Sequence, residues 1–458
     1  MCPLKPQRVR DPLHDLIEFS SDPELRLWDC LNAAEFQRLR RVKQLGFSEL
    51  VYPGATHTRL AHSLGVFHTA RSLSIHLQKL LSTQFDENLA QVALIAALFH
   101  DVGHGPFSHA FEDAMAKLDK SLGTTIAKRH EIWTADIIRE DTDLGNRIEK
   151  GFGSDTRSAV AKLLLQETPT DIYSGIVSSQ FDADRLDYLR RDRLMTGVSH
   201  GGFDYSWLLA NLEVGKVAIA TDGDDFANVD TLILGSKAFQ AAEAYVLGLF
   251  HMYFAVYFHK ATRSAEKMLS AMLLNMGQLI LEADLGKLDL SEAHPLVLFL
   301  RDQSLSNYLL LDDAVLWGSL PSLARAQDPS VSVLASRLLR RDLYKAFDVT
   351  EYFERRGGEA SVARFRAALS EAKKSGDFGS LELFEDTPKR DPYKRRGYDT
   401  PDALSKVLIR SSANGQYEDL AELSEVVRAL QKRTVYRVYS DRGETLDKIK
   451  EIAKGVAQ

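Results

Sequence analysis

Apolar residues recur at intervals of three and four positions along most of the chain, and this spacing predicts a mainly α-helical protein. Residues 24–46 show it first and end at Gly46, so we expect one helix there, capped at its end by the glycine. A second helix is predicted within residues 51–73, with Thr56 or Thr58 as its N-cap. Further helices are predicted at 87–100, 106–118, 157–166, 178–197, 236–281, 294–302, 311–317, 329–347 and 360–374, with another starting at His130.

The first predicted helix has a basic side, which we expect to be exposed to solvent because charged helix faces usually are. Its polar residues are Gln37, Arg38, Arg40, Arg41 and Lys43.

Strand patterns are few. Residues 10–20 are typical of a turn and a short extended piece, whereas residues 216–234 predict a small β-hairpin. Residues 435–441 give a weaker strand pattern, followed by a short helix. Residues 385–402 are polar, basic and contain prolines, which predicts a linker or an exposed ordered loop. The expected fold class is mainly α, with a helical core, a small β-hairpin and a mixed α/β C-terminal region.

The composition is that of an ordinary globular protein: 458 residues, 45% hydrophobic and 26% charged. The net charge of -7 argues against a general nucleic-acid binder, although it leaves room for a local basic groove. Cys2 and Cys30 are the two cysteines, so no disulfide framework and no cysteine-based zinc site is expected. With no signal peptide and no apolar run of membrane-spanning length, we expect a cytoplasmic protein that does not enter a membrane.

Residues 98–109, LFHDVGHGPFSH, hold the densest cluster of candidate chemistry. They place His100, Asp101, His104 and His109 at the end of an apolar helix. Ionisable groups there are costly unless they are paired or bound to a metal, and an adjacent His-Asp pair offers one nitrogen and one oxygen ligand. Satisfied structural histidines are the alternative interpretation. Four such groups together favour a functional site.

Arg59 and His62 lie three positions apart and therefore share one helical face. An arginine beside a histidine suits a site that holds both a phosphate and a metal, although the pair alone is weak support. His57 and His68 lie off this face, and we expect them to be structural or exposed. For His130 the sequence favours neither of two interpretations, a proton donor or a surface histidine.

Residues 178–197 carry a polar stripe. Asp184, Tyr188 and Asp192 are spaced by four, so they line one helical face, and Arg185 lies beside it. In this set, one carboxylate would bind a metal and the second would orient a neighbouring group. Arg185 would bind a phosphate, and Tyr188 would stack or form a hydrogen bond. An exposed helix stabilised by salt bridges is the alternative.

The order His62, His100-Asp101, Asp184 resembles that of the HD-domain metal-dependent phosphohydrolases. The surrounding sequences resemble one branch, the deoxynucleoside triphosphate triphosphohydrolases related to the human sterile-alpha-motif and HD-domain protein and to bacterial deoxyguanosine triphosphatases. These sequences are DPLHDLIE, FQRLRRVKQLG, YPGATHTRLAHSLGV, LFHDVGHGPFSHAFE, DADRLDYLRRD and VYFHKATR. The resemblance is strong over residues 9–205, patchy over 236–281 and thin beyond. It implies an HD-domain core at 1–284 and a C-terminal helical or assembly region at 285–458.

The resemblance also implies roles for individual residues. One divalent metal, whether Mn, Fe, Co, Ni or Mg, would be bound by His62, His100, Asp101 and Asp184. The triphosphate would be bound by Arg59, Arg185 and Tyr188. Catalysis near the α-phosphorus and the other phosphates would involve His104, His109, Glu112 and His130. The sugar and base would be recognised by Gln44, Leu45, Tyr188, Asp192 and Tyr257.

The implied reaction is hydrolysis of a deoxynucleoside triphosphate to deoxynucleoside and inorganic triphosphate, by a homo-oligomer with a possible nucleotide activator. Leu249 stands where relatives usually carry a phosphate-binding arginine, so Lys260 or Arg263 would have to replace it. Gln7 and Asn32 depart from the activator site of relatives, although Gln37 and Arg40 remain.

Two other functions stay open from the sequence. An HD phosphohydrolase could act on another nucleotide, such as a monophosphate, a cyclic or a signalling nucleotide, or on a nucleic-acid end. A nucleotide-sensing protein with a vestigial metal site is the third, and the complete ligand set argues against it.

Overall fold

The computed structural model describes residues 5–220, 226–378, 383–391, 393, 406–411, 416–441 and 443–457. The chain is mainly α-helical, as predicted. Its helices are α1 Asp22–Cys30, α2 Ala34–Arg38, α3 Arg59–Leu81, α4 Glu87–Phe99, α5 His109–Leu122, α6 His130–Arg139, α7 Asp143–Phe152, α8 Ser154–Leu164, α9 Ser174–Val177, α10 Ala183–Thr196, α11 Tyr205–Ala210, α12 Phe239–Met252, α13 Lys260–Leu281, α14 Pro295–Arg301, α15 Leu305–Tyr308, α16 Asp313–Leu323, α17 Pro329–Leu339, α18 Val349–Phe353, α19 Gly358–Lys374, α20 Leu420–Leu423, α21 Glu425–Ala429 and α22 Glu444–Ala457.

The strands form small sheets at the periphery. They are β1 Gln7–Asp11, β2 Asp15–Phe19, β3 Leu212–Ala220, β4 Phe226–Leu234, β5 Lys345–Asp348, β6 Phe384–Asp386, β7 Lys389–Arg390, β8 Leu408–Arg410, β9 Tyr417–Asp419, β10 Arg433–Thr434 and β11 Arg437–Ser440. β1 and β2 form a hairpin, and β7 pairs with β10. A three-stranded sheet has the order β5-β11-β6, and a four-stranded sheet has the order β3-β4-β8-β9. The predicted hairpin at 216–234 is confirmed as β3 and β4, and the strand near 435–441 as β11.

The single helix expected at 24–46 is wrong. The chain leaves the helical conformation at Ala33 and again at Val42, so α1, α2 and a short 3-10 turn replace one helix. Phe36, Leu39 and Val42 are fully buried in this broken segment. Arg38, expected in solvent, is only 2% exposed.

Other boundaries differ from the predicted ones for local reasons. Residues 7–19 form a hairpin rather than one extended piece, and α5 begins only at His109 because Phe107 and Ser108 have positive φ values. The long helix expected at 236–281 is interrupted by a π-helical turn at Tyr253–Tyr257. The helix expected at 329–347 ends at Leu339. Of the linker expected at 385–402, the first residues form β6 and β7, and 392 and 394–402 lie outside the described residues.

Helix α3 organises the core, because it packs against both α4 and α10. Its apolar side chains belong to one buried cluster that extends from the N-terminal hairpin to residues 393–427. A second cluster joins α5 and α13 to the helices between 296 and 338. Since α3, α4 and α10 meet at their polar ends, this packing brings the candidate residues of three sequence segments together.

No single helix in the described part of the chain is long and apolar enough to cross a membrane. One bent pair, Ser236–Tyr257 with Lys260–Leu281 at 59°, meets the criteria of length and composition alone.

Candidate metal centre and active site

Three helix ends supply the four predicted metal ligands. Thr58 caps α3 by accepting a hydrogen bond from the Ala61 amide, which places His62 in the first turn of α3. His100 is the C-cap of α4, and Asp101 follows it. Asp182 caps α10 through the Arg185 amide at 2.8 Å, so Asp184 lies in the first turn of α10. Each ligand is therefore fixed by the start or end of a helix.

The four side chains converge. His62 Nε2 lies 2.9 Å from Asp184 Oδ1 and 3.9 Å from Asp101 Oδ2. His100 Nε2 lies 3.2 Å from Asp101 Oδ1 and 3.7 Å from Asp184 Oδ1. Donor atoms of His62, His100 and Asp184 all lie within 4.8 Å of one another. Two imidazole nitrogens and two carboxylates make the mixed nitrogen and oxygen set that divalent transition metals prefer.

The donor set fits a bound cation. His100 Nδ1 is hydrogen-bonded to the Ala97 carbonyl at 2.9 Å, whereas its buried Nε2 has no hydrogen-bond partner in the part of the chain that the structure describes and faces the two carboxylates. Burial alone would lower the pKa of His62, yet its hydrogen bonds to Asp184 and Asp187 raise it to about 10. The site therefore favours a positive charge at this point, and a divalent metal can take the place of the proton.

A second layer of residues orients His62. Asp187 is fully buried, and its Oδ2 lies 2.9 Å from His62 Nδ1. The same carboxylate contacts His14 Nε2 at 2.7 Å and accepts from Arg191 Nε at 2.8 Å, while Arg191 also binds Asp11. Such a carboxylate fixes the imidazole tautomer, so that the other nitrogen is free to bind the metal. No role was predicted for Asp187, His14 or Asp11: Asp187 lies outside the i, i+4, i+8 spacing of Asp184, Tyr188 and Asp192, and His14 and Asp11 come from a distant part of the sequence.

Arg59 and Ser108 fix the loop after α4. The Arg59 guanidinium pairs with Asp101 Oδ2 and donates to Ser108 Oγ at 2.9 Å. Ser108 and Phe107 have φ values of 50° and 51°, an uncommon conformation for residues other than glycine. Backbone strain of this kind is retained where surrounding contacts determine it. Arg59 thus orients Asp101, one of the predicted metal ligands.

Buried groups from outside the loop hold it from behind. Arg38 donates to the carbonyls of Val102 at 2.9 Å and His104 at 2.7 Å. Asp313, at the start of α16, accepts from the Phe107 amide at 2.7 Å and the Lys43 amide at 2.9 Å. Neither residue was predicted to belong to the site.

The four predicted catalytic residues form a second cluster beside the metal ligands. Glu112 accepts from His130 Nδ1 at 2.9 Å and lies 3.1 Å from His109 Nδ1. Burial would raise the pKa of Glu112, but these two histidines hold it well below its ordinary value. His104 Nε2 lies 3.2 Å from Asp101 Oδ1, and burial together with the Arg59 charge keeps the pKa of His104 well below the usual range.

This cluster joins the metal centre to an accessible acid–base group. The His109 side chain is 73% exposed, whereas His104 is buried. His104, Glu112 and His130 also have donor atoms within 4.8 Å of one another. However, the rings of His104 and His130 are stacked at 3.7 Å, and a metal binds an imidazole in the ring plane, so the two rings do not aim at one point. The arrangement suits hydrogen bonding to an anion better than a second metal.

The predicted residues for sugar and base form a third group, farther along α10. Asp192 is buried; its Oδ2 accepts from the Tyr257 hydroxyl at 2.7 Å and its Oδ1 lies 2.9 Å from His57 Nε2. Tyr188 lies against Tyr257 with ring centroids 6.2 Å apart. His57, which was not assigned to the site, is therefore part of it. The alternative of an exposed, salt-bridged helix does not hold for this face of α10.

The remaining predicted contacts fall at the edges of these groups. The backbone N–H of Gln44 donates to the His57 carbonyl at 3.0 Å, and its buried side-chain Oε1 has no hydrogen-bond partner among the described residues. Leu45 is half-buried against the core. Arg185 lies beside Tyr188 and contacts the Asp182 carboxylate at 3.3 Å.

Lys260 and Arg263, the two residues considered as replacements for the arginine missing at Leu249, lie beside other groups. Arg263 donates to both carboxylate oxygens of Asp386, at 2.8 and 2.7 Å, and Lys260 lines a pocket together with Arg356. Leu249 itself is buried in the core.

Two regions of the chain match family models: residues 59–189 match the HD domain, and residues 226–310 match the HD associated region. The uncharacterized protein YwfO of Bacillus subtilis is 31% identical over 436 residues, which are 94% of this chain and 91% of that protein. The chain belongs to the HD-domain family. HD-domain proteins are metal-dependent, and the donor atoms of His62, His100 and Asp184 lie close enough together to hold a divalent metal ion.

Similarity to solved structures and to curated relatives extends this result. The crystal structure of the phosphohydrolase BT4208 from Bacteroides thetaiotaomicron is similar with a TM-score of 0.71 and 26% identity, covering 96% of this chain and 100% of that one. The bovine deoxynucleoside triphosphate triphosphohydrolase SAMHD1 is 44% identical over 232 residues, 46% of this chain and 38% of that protein. This HD-domain protein is a metal-dependent phosphohydrolase.

Proposed function

We propose that this HD-domain protein hydrolyses deoxynucleoside triphosphates to a deoxynucleoside and inorganic triphosphate. The observation that carries the proposal is the single stripe of α10, which bears the metal ligand Asp184, then Tyr188, then Asp192. Eight residues of helix separate the two carboxylates, a rise of about 12 Å. One helix thus connects a centre suited to a phosphate with a carboxylate suited to a sugar. The similarity to bovine SAMHD1 supports the same substrate class.

Recognition of the sugar is assigned to Asp192 and Tyr257. Asp192 is held from both sides by His57 and Tyr257, so its orientation is fixed before a ligand enters. A carboxylate has about four acceptor positions, and the two contacts leave room for the 3′ hydroxyl of a deoxyribose. The Tyr257 ring would pack against the sugar and leave no space for a 2′ hydroxyl.

Recognition of the phosphates is assigned to Arg59, Arg185, Tyr188, His104 and His130. The two arginines carry permanent charge, and guanidinium groups bind phosphate oxygens through paired hydrogen bonds. His104 Nδ1 is buried without a partner in the described structure, so a phosphate oxygen can satisfy it. Together these groups offset much of the negative charge of a triphosphate.

In the proposed reaction, the oxygen of a water molecule bonds to the α-phosphorus while the bond from that phosphorus to O5′ breaks. The deoxynucleoside leaves with a proton on O5′, and the triphosphate keeps the oxygen of the water. His109 is the assigned proton donor, because Glu112 holds its Nδ1 and leaves Nε2 accessible. A divalent metal bound by His62, His100, Asp101 and Asp184 supplies Lewis-acid charge and lowers the pKa of a water.

The test is metal-supplemented hydrolysis of the four deoxynucleoside and four ribonucleoside triphosphates, with the products separated by chromatography. We expect deoxynucleoside and triphosphate from the deoxy substrates. Asp101→Ala should lose both bound metal and activity, whereas the exposed Asp155→Ala should lose neither. Turnover of ribonucleotides or monophosphates alone would replace the proposed substrate, and full activity of Asp101→Ala would contradict the metal assignment. Light scattering with and without nucleotides tests the expected homo-oligomer and its activation.

A further inference from the structure

Two short strands of the C-terminal region lie against the π-helical turn Tyr253–Tyr257, beside the candidate active site. β7 and β10 pair antiparallel, with Arg390 directly opposite Arg433. The Arg390 guanidinium lies 4.0 Å from the ring centroid of Tyr253, and that of Arg433 lies 5.0 Å from the ring of Phe254. Tyr253 and Phe254 begin the π-helical turn that also contains Tyr257. The ribbon therefore brings two arginines to the segment that carries a predicted substrate-binding residue.

Arg390 lies close to the predicted sugar-binding pair, Tyr257 and Asp192. The Tyr253 ring on which it stacks lies 4.9 Å from the ring of Tyr257, and Tyr257 is bonded to Asp192. Burial raises the pKa of Tyr188 well above its ordinary value, and the charges of Arg185 and Arg390 both act against this effect. The same two arginines act on the pKa of Tyr245. Arg185 and Arg390 thus share Tyr188 and Tyr245 as neighbours.

Arg390 differs from Arg59 and Arg185, the other arginines of the candidate site, in its partners. Arg59 pairs with Asp101, and Arg185 contacts Asp182. In the parts of the chain that the structure describes, no carboxylate lies within 4.0 Å of the half-buried Arg390, and the residue opposite it is a second arginine. Like charges directly opposite in a β ribbon are destabilising. Stacking on Tyr253 holds the guanidinium in place with no carboxylate beside it among the described residues, which suits an anion from outside the chain.

We propose that Arg390 binds the phosphate tail of the triphosphate substrate together with Arg185, so that the C-terminal region completes the active site. The inference rests on the proposed function for the identity of the substrate. A planar guanidinium fixed by an aromatic ring loses little freedom when it binds phosphate oxygens through two hydrogen bonds. Among the described residues, no carboxylate has to be displaced when the phosphates arrive. Arg390 belongs to β7, about 200 residues after α10 along the chain. The sequence of α10 alone therefore does not reveal that Arg390 lies near Arg185.

The experiment measures binding of inorganic triphosphate to the full chain by calorimetry, in the presence of the preferred divalent metal. We expect Arg390→Ala to raise the dissociation constant about ten- to hundredfold, as loss of a hydrogen bond between charged groups does. Arg390→Lys keeps the charge but not the planar fork, and should give an intermediate loss. Arg433→Ala is the matched control, since it removes the same charge from the opposite residue of the ribbon and should change binding less than about twofold.

Each outcome decides the inference separately from the proposed function. It is overturned if the wild-type protein does not bind triphosphate, if Arg390→Ala binds it as tightly as the wild type, or if Arg433→Ala loses as much. Equal losses would indicate a diffuse basic surface of the kind that binds nucleic-acid backbones. Turnover of deoxynucleoside triphosphates is measured in parallel. If triphosphate binding depends on Arg390 while no such substrate is hydrolysed, the proposed reaction fails and the phosphate-binding role of Arg390 stands.

Discussion

His62 Nδ1 lies 2.9 Å from Asp187 Oδ2, and the opposite nitrogen of the same ring lies 2.9 Å from Asp184 Oδ1. One buried imidazole therefore connects the half-buried carboxylate of Asp184 to the fully buried carboxylate of Asp187. Asp187 in turn is held by His14 and Arg191 from two different elements. The metal centre is thus anchored to the N-terminal hairpin as well as to the helices that carry its ligands.

Asp187→Asn should weaken metal binding although Asp187 is not a ligand. The amide keeps the shape of the carboxylate but loses its charge, so His62 is no longer held in one tautomer. Changes to such second-layer partners lower metal affinity about 10- to 100-fold. Metal content after dialysis against a graded chelator measures the effect. Asp155→Asn, on the surface of α8, is the control, and a wild-type metal content in Asp187→Asn would contradict the assigned role.

Glu112→Gln should separate chemistry from metal binding. Glu112 positions both His109 and His130 but makes no contact with the four metal ligands in the described structure. We expect hydrolysis to fall about a hundredfold or more, since the proton donor loses its orientation and its charged partner, while metal content is unchanged. The neighbouring Glu131, 3.5 Å from His130 Nδ1, offers the matched variant Glu131→Gln, which should retain most of the activity. Equal activity of the two variants would remove Glu112 from the mechanism.

The clustering of the candidate metal ligands could be predicted because their signal is local. His100 and Asp101 are adjacent, and each of the other two ligands follows a capping residue that marks the start of a helix. A dense group of ionisable side chains beside an apolar helix has few structural explanations, so the sequence alone indicated a site. The mainly α fold was predictable for the same reason, because helical spacing is a short-range pattern.

The supporting residues could not be predicted in the same way. Arg38 was assigned to a solvent-exposed face by its spacing, yet it donates to the carbonyl of Leu311, 273 residues away. His57 meets its partner Asp192 across 135 residues, and Arg390 reaches Tyr253 only because β7 pairs with β10. These contacts depend on tertiary packing, and local periodicity contains no information about them.

Asp313 should make stability depend on pH. Burial raises the pKa of this carboxyl from 3.8 to about 6, against the opposing effect of the Lys43 and Phe107 amides. Between these two values the folded protein keeps the proton that the unfolded chain releases, so rising pH destabilises the fold. Relative to Asp313→Asn, the wild-type protein should therefore lose about 3 kcal/mol of stability between about pH 3 and pH 7, about 2 kcal/mol of it from pH 4 to pH 6, and almost nothing more above pH 7. Urea unfolding midpoints of both proteins measure this difference, and a constant or widening wild-type advantage over that range would contradict it.

Gly65→Ala should destabilise the protein even though alanine is the better helix former. A Cβ at Gly65 would lie 2.1 Å from Asp187 Oδ1 and 2.2 Å from the Arg191 guanidinium, both fully buried. Because these groups form one network with His14 and Asp11, they cannot move apart without loss of hydrogen bonds. We expect a cost of about 1–3 kcal/mol from overpacking, together with weaker metal binding.

The control for this variant lies in a helix with open space around its glycine. Gly318, within α16, is exposed and has no atom within 4 Å of an added Cβ. Gly318→Ala should therefore gain up to about 1 kcal/mol, the usual preference of a helix for alanine over glycine. Unfolding midpoints and metal titrations of the two variants compare the same chemical change in two surroundings. If Gly65→Ala is as stable as Gly318→Ala and binds metal normally, then close packing of α10 on α3 is not what positions Asp187 behind His62.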